Sequence, residues 1–236
     1  MKFKTDFTNL PLGQLESMQD AGERIEECYR LLVKANANVV GQCLAHQGKF
    51  VQYDHYPKGD IFDKETKSQY YYHAHREGEH GHFHTFVRAG GMPDGIEPVP
   101  YDGDIELPSG KDAICHLIAV SMNRPGYPIG LFSTNRWVTG ETFYSAEDAI
   151  GLLDQFLMDH TYPCLATNRW ISAMIILFRP QIEALLRERD RVIASWQEKN
   201  PDKDVYEDRD LELTSILKID VKKQRAAVDK AIAKQS

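Results

Sequence analysis

The chain has 236 residues and a formal net charge of −7, with 42% hydrophobic and 27% charged residues. These fractions are those of ordinary globular proteins, so the composition excludes wholesale disorder and allows a substantial core. The negative charge argues against a general nucleic-acid binder, because such a protein needs a basic face to meet phosphates.

The sequence gives no indication of export or of membrane insertion. The N-terminal segment MKFKTDFTNLPLGQLE lacks an apolar core like that of a signal peptide. No window approaches the roughly 18 apolar residues that span a bilayer. The four cysteines lie far apart without a CxxC pair, which favours free thiols in a reducing compartment. We therefore expect a cytoplasmic protein without a membrane or nucleic-acid partner.

Helical and extended patterns follow one another along the first half of the chain. Residues 12–46 are predicted to be helical, with Asp20 as the start of the main helix, because apolar residues recur at three- and four-residue spacing. Residues 50–133 contain short runs rich in aromatic and β-branched residues, separated by Gly, Pro and Asp, which predicts an antiparallel sheet. Residues 89–110 predict a long loop of the kind that often covers a site.

Residues 145–199 return to helical patterns. Ser145 and Asp148 are spaced as a capping box, another helix begins after Asn168, and Pro180 either kinks that helix or opens a new one. The tail, residues 200–236, is amphipathic at best. We predict an α+β fold in one domain, residues 1–236. Its central antiparallel sheet, which includes a His-rich hairpin, is covered by N-terminal and C-terminal helices.

Five of the nine histidines fall within residues 73–84. Side chains two apart on a strand share a face, so each arm of a hairpin would present three candidate metal ligands on one side: His73, His75 and Glu77, then His80, His82 and His84. Gly78 and Glu79 suit a two-residue type II′ turn between the arms.

In that register His75 faces His82 and His73 faces His84, about 4.5–5.5 Å apart at Cβ. A metal held by imidazole nitrogens at about 2.0–2.1 Å can bridge this separation. A turn longer by one residue would send the two sets to opposite faces. The alternatives to a metal site are ordinary surface or core histidines and a disordered metal-buffering tract, although the tract is internal and flanked by aromatic strands.

Other histidines are candidates to complete the site. His116 lies in an apolar run that predicts a central strand, where it would be either a ligand or a buried, hydrogen-bonded neutral side chain. His46 and His55 bracket the first predicted strand and are weaker candidates.

A shell of imidazoles with an optional carboxylate favours Fe, Zn or Cu over Mg or Ca. Histidines with Glu77 or Glu79 would form the facial triad typical of non-haem iron oxygenases, whereas three histidines and a water suit zinc or copper. We expect a metal-dependent enzyme, with iron preferred over zinc or copper, that acts on a small molecule, with oxidation as the candidate reaction. The alternatives are a protein that binds, stores or senses a transition metal or haem, and a purely structural, metal-free histidine cluster.

Two further residues are candidate catalytic groups. Tyr71 adjoins the histidines and could support the metal or act as a radical partner, with strand packing as the alternative. The tripeptide Asn-Arg-Trp occurs twice, and Arg136 of the first copy could grip an anionic substrate. The second copy, with Arg169, fits a structural role at a helix start.

Three segments, HAHREGEHGHFHTF, LFSTNRWVTGE and NRWISAMIILFRPQI, resemble an uncharacterised family of bacterial proteins, a domain of unknown function, over residues 70–190. This resemblance implies no reaction. His73, His75 and Glu79 also resemble the spacing of the cupin metal motif, which would imply iron, manganese or zinc. Lys67 and Phe86 stand where that motif has glycines, and a second cupin motif is absent from the sequence.

Overall fold

The computed structural model describes residues 6–235; Ser236 and the first five residues of the segment tested for a signal peptide lie outside this range. The described chain forms one antiparallel sheet whose strand order follows the chain. The strands are β1 (Tyr56–Phe62), β2 (Ser68–His73), β3 (Gly81–Arg88), β4 (Ile114–Met122), β5 (Pro128–Thr134) and β6 (Leu213–Lys218). The helices are α1 (Leu12–Lys34), α2 (Val39–Leu44), α3 (Arg136–Thr139), α4 (Ala146–Leu152), α5 (Leu165–Leu177), α6 (Arg179–Lys199) and α7 (Val221–Gln235). The predicted α+β class is confirmed.

The predicted N-terminal helix is two helices with a break between them. Asn36 adopts the left-handed conformation at φ 53°, and the side chain of Asn38 accepts a hydrogen bond from Gly41 N to cap α2. The prediction that the main helix starts at Asp20 is wrong, because α1 begins directly after Pro11. No helix among residues 6–235 is both long enough and apolar enough to cross a membrane.

The C-terminal part is more ordered than the sequence indicates. Pro180 lies in the first turn of α6, which follows α5 directly, so the proline opens a helix. The predicted amphipathic tail contains β6, which pairs with β5, and α7, whose Val228 is fully buried. The strand escaped prediction because it is stabilised by pairing with a partner about 80 residues earlier in the chain, as in Ser133 with Ser215.

The two faces of the sheet differ in their chemistry. We call one the helix face: Tyr70, Tyr72, Phe83, Ile118, Val120 and Leu131, all within the core that includes α1 and α5. We call the other the histidine face: Tyr71, His73, His82, His84, Phe86, His116 and Phe132. Alternation along each strand separates the two sets. In β4 a β-bulge opposite Thr85 and Phe86 interrupts this alternation and turns His116 to the histidine face, although Ile118 lies on the helix face. Every residue of the histidine face is also buried.

Candidate metal centre

The register between β2 and β3 differs from the predicted hairpin. His73 pairs with His82, and Tyr71 pairs with His84, so the predicted pairing of His73 with His84 is wrong. Residues 74–80 form a longer connection in place of a two-residue turn. The observed partner of His73, residue 82, differs from the predicted partner, residue 84, by two positions. Because a register shift of two residues leaves every side chain on the same face, the histidines keep their common face.

Three imidazoles converge at the centre of this face. His73, His82 and His84 each offer a ring nitrogen, and these three atoms lie within 4.8 Å of one another. The side chains are 7%, 0% and 0% exposed, respectively. Nε2 of His73 lies 2.6 Å from Nε2 of His82. Two nitrogens bound to one metal are about 2.9–3.3 Å apart, so these two rings need to separate by less than about 1 Å. The nitrogens that lie up to 4.8 Å apart need to approach by as much as about 1.5 Å. The cluster can hold a metal ion.

Glu79 fixes the orientation and tautomer of His82. Its carboxylate contacts Nδ1 of His82. Burial acts to raise the pKa of Glu79, but the bond to His82 and the charge of Arg76 outweigh it and leave that pKa below its usual value. Burial also lowers the pKa of His82. An ionised carboxylate requires an N–H donor, so Nδ1 of His82 carries the proton and Nε2 presents its lone pair to the cluster.

His116 plays the same part for His84. Nδ1 of His84 lies 2.9 Å from Nε2 of His116. Burial lowers the pKa of His116 to about 3, and a hydrogen bond with the backbone of Ile118 partly opposes this, as a carbonyl acceptor does. When His84 donates from Nδ1 to His116, its Nε2 presents a lone pair to the cluster. Nε2 of His84 is buried and has no hydrogen-bond partner among residues 6–235.

His73 connects the buried cluster to the protein surface. Its ring contacts those of His75 at 4.8 Å and His55 at 5.6 Å. The His55 side chain is 42% exposed, and exposed Tyr53 stacks on His75. Burial, followed by the neighbouring histidines, lowers the pKa of His73 to about 2, so the ring is neutral. Because Nε2 of His82 presents a lone pair, Nε2 of His73 carries the proton in their 2.6 Å contact, and a bound metal would require that proton to move to Nδ1. These rings connect the cluster with the exposed surface at His55 and Tyr53.

Tyr71 belongs to the same face and packs directly on the cluster. Its ring stacks on His55 at 3.6 Å and lies 5.2 Å from both His73 and His84. Burial raises the pKa of Tyr71, so the phenol stays protonated. The position allows the predicted role beside a metal and also accounts for strand packing.

The structure separates the remaining predicted site residues from the three converging nitrogens. Glu77 is exposed, and His80 turns to the hydroxyl of Tyr72 on the helix face. His46 is exposed. Arg136, at the start of α3, binds Glu207 and the carbonyl of Glu141, which ties the segment after β5 to the loop before α4.

Sequence reasoning missed three residues beside the cluster. Phe132 packs its ring 5.0 Å from His82, and the guanidinium of Arg76 lies over Phe132. Glu141 is fully buried and accepts a hydrogen bond from His116 N, and burial raises its pKa to about 7. Arg76 stands inside the histidine tract, and a charged residue at that position could have been predicted from the sequence to lie near the site. Phe132 and Glu141 come from other elements, and only the fold brings them close.

The model of a family described as a domain of unknown function, DUF6969, matches residues 19–219, a range that includes the whole histidine cluster and its neighbours. No curated protein and no solved structure matches the chain.

Proposed function

We propose that this chain, which belongs to the DUF6969 family, is a metal-dependent enzyme. The family is described as a domain of unknown function, so the proposal rests on the site alone. The metal is an iron(II) ion held by Nε2 of His73, His82 and His84, and the enzyme acts oxidatively on a small molecule. Zinc and copper accept the same shell, so metal analysis is part of the test.

One observation carries this proposal: three neutral imidazoles converge in the interior, and one of their nitrogens, Nε2 of His84, is buried without a partner. An unsatisfied buried nitrogen costs about 1–3 kcal/mol, and a cation at the centre of the cluster removes that cost. The supporting contacts from Glu79 and His116 are those that metal-binding histidines require to fix ring orientation.

The number of ligands favours catalysis over a purely structural ion. Three protein ligands leave open positions in a tetrahedral or octahedral shell, whereas structural zinc sites fill all four. A bound iron would supply oxidative chemistry at those positions. The chain supplies the rest: His55 and Tyr53 border the approach, and buried Tyr71, whose phenol stays protonated, packs its ring beside His73. These groups would orient a substrate and limit access of water.

A second candidate function is storage, sensing or delivery of a metal. The observation that favours it is the continuous path of imidazoles from exposed His55 through His73 to the interior, because neutral imidazoles along such a path could pass an ion inward. Reversible uptake of several different metals without consumption of any small molecule would support this role.

Metal content tests the site itself. Untagged protein should retain about one equivalent of metal per chain by mass spectrometry. The His84→Gln variant should lose it, because His84 contributes the unpartnered nitrogen. His46→Gln, which alters an exposed histidine away from the cluster, is the matched control and should keep the metal. Equal metal content in all three proteins would disprove the ligand assignment.

Turnover separates the two candidate functions. Protein loaded with Fe(II) under anaerobic conditions is mixed with oxygen and a panel of small molecules, and oxygen consumption is recorded. The enzyme hypothesis expects consumption that depends on both the iron and one of the added molecules, and that disappears in His84→Gln. Stoichiometric metal binding with no consumption across the panel would count against catalysis and leave the storage role.

A further inference from the structure

Arg76 is a partly buried cation close to the histidine cluster, and one of its guanidinium nitrogens has no hydrogen-bond partner. It lies in the connection between β2 and β3, and its side chain is 18% exposed. Nη1 is buried and has no hydrogen-bond partner within the described chain. A buried guanidinium nitrogen without an acceptor is costly, because the group carries fixed N–H donors and cannot lose its charge.

The nearest carboxylate does not satisfy this nitrogen. Glu79 Oε2 lies 4.0 Å from Nη1 of Arg76, beyond hydrogen-bond distance, and Oε1 of the same carboxylate is engaged with His82. Arg76 is instead held by its flat face, with Cζ 4.3 Å above the centre of the Phe132 ring. Stacking of this kind leaves the edge of a guanidinium, where its donors are, free for another group.

Phe132 links Arg76 to two of the proposed metal ligands. Its ring lies 5.0 Å from that of His82 and 6.0 Å from that of His84, so one aromatic side chain contacts both ligands and the cation. A divalent ion among neutral imidazoles and the charge of Arg76 together exceed the single negative charge of Glu79. The site therefore has a surplus of positive charge that an anion would balance.

Assuming the proposed metal site, we propose that Arg76 is the anchor for a small carboxylate substrate, with one carboxylate oxygen on an open metal position and the other accepting from Nη1. A carboxylate is planar and presents two oxygens, which match a metal on one side and a guanidinium on the other. Arg76 thereby replaces Arg136 as the anion-binding arginine, since Arg136 is engaged by Glu207 and Glu141.

The surroundings favour a small planar carboxylate over a phosphate. Glu79 Oε2 lies 4.0 Å from Nη1 of Arg76, so a ligand at this nitrogen also meets a carboxylate. A carboxylate ligand brings fewer negative oxygens close to Glu79 than a phosphate does.

Cobalt-loaded protein tests this assignment through a spectroscopic signal that is independent of turnover. The visible absorption bands of Co(II) report on its ligands, so acetate that enters the shell should change them in a saturable way. Arg76→Gln should bind cobalt as wild type does but bind acetate about 10- to 100-fold more weakly, the effect of removing one hydrogen bond to a charged group. Arg76→Lys keeps the positive charge but lacks the paired N–H donors of a guanidinium, so its affinity for acetate should lie between those of the wild type and Arg76→Gln. Exposed Arg169, changed to Gln, is the matched control and should leave both titrations unchanged.

Each remaining outcome has a distinct meaning. No cobalt binding by the wild type would contradict the metal site itself. Cobalt binding with identical acetate titrations in wild type and Arg76→Gln would overturn the role of Arg76 and leave the metal site intact. Loss of cobalt from Arg76→Gln alone would also overturn it, because Arg76 would then support the metal ligands. Tighter binding of inorganic phosphate than of acetate would overturn the choice of a carboxylate.

Discussion

The two faces of the same strands are buried by different means. On the helix face, Phe83 contacts Tyr70, Tyr72 and Trp170, and apolar surface fills the space against α1 and α5. On the histidine face, His82 and His84 are just as inaccessible, but their neighbours are other imidazoles, carboxylates and a guanidinium.

The difference shows what each face contributes. Burial of an aromatic side chain stabilises the fold through the area removed from water, and it requires no specific partner. Burial of a cluster of imidazoles costs free energy unless each nitrogen is paired, and here one nitrogen is not. The helix face therefore increases the free energy of unfolding. The histidine face lowers it by the cost of the unpaired nitrogen, and the packing of the helix face offsets that cost and keeps the histidine cluster together.

Low pH should reduce the stability of the protein through the histidine face and not through the helix face, and we expect this to be the largest difference between the two. Burial holds the pKa of His73 at about 2, that of His116 at about 3, and that of His84 well below 6.5. The unfolded chain binds these protons below pH 6.5 while the folded chain does not, so stability falls as pH drops below that value. Each of the three histidines lowers the free energy of unfolding by about 1.4 kcal/mol for each pH unit below 6.5. Glu141, whose pKa is raised from 4.5 to about 7, has the opposite effect: between pH 7 and 4.5 it raises the free energy of unfolding by about the same amount per pH unit.

This pH dependence can be measured by urea unfolding of chelator-treated protein between pH 7.5 and 5. The His84→Gln variant removes one of the three groups and should show a shallower slope. A free energy of unfolding that stays constant across this range would show that the buried histidines are accommodated in some other way.

Truncation on the helix face should affect stability alone. Phe83→Ala removes a fully buried ring and should cost about 3–5 kcal/mol in the free energy of unfolding. Chemical denaturation measures this loss, and mass spectrometry of the folded fraction should still find about one metal per chain. A variant that retains its stability but loses the metal would mean that the two faces are not separable as described.

Gly81 lies close to one residue of each face, Tyr72 of the helix face and His73 of the histidine face. Its substitution should reduce both stability and metal binding, with a smaller loss of stability than Phe83→Ala. A Cβ at this position would lie 2.4 Å from the hydroxyl oxygen of Tyr72 and 2.5 Å from the carbonyl oxygen of His73. Gly81→Ala should therefore push β3 away from β2, cost about 1–3 kcal/mol, and weaken metal binding through the His73–His82 pair.

Gly78→Ala provides the comparison for this substitution. Gly78 has open space around it but a φ of 85°, so its variant tests backbone strain without a steric clash. We expect a loss of stability with metal content intact, measured by denaturation and mass spectrometry. Equal metal affinity in both glycine variants would show that the close approach at Gly81 is not required for the site.

The sequence predicted the chemistry of the site better than its geometry. Alternation of His73, His82 and His84 with apolar residues established a shared face, because side-chain period two survives any even change of register. The actual pairing depended on the seven-residue span from Ala74 to His80, whose path is set by tertiary contacts such as His80 N with Met122 O.

Other parts of the site were beyond sequence reasoning for the same physical cause. Phe132 and Glu141 reach the cluster from β5 and from the loop after α3, and no local pattern marks them as neighbours of His84 or His116. Strand β6 was missed because it completes the sheet by pairing across a long separation in the chain. Helix α5 was predicted, since its apolar run is continuous and local.

His75 differs from the three converging histidines in what holds it in place. Its ring lies 4.8 Å from that of His73 and 5.1 Å from that of His82, but the residue belongs to the connection between β2 and β3 and not to a strand. His82 and His84, by contrast, are held on β3 by pairing with β2 on one side and β4 on the other. A change in the path of the connection would therefore move His75 while leaving His82 and His84 where they are.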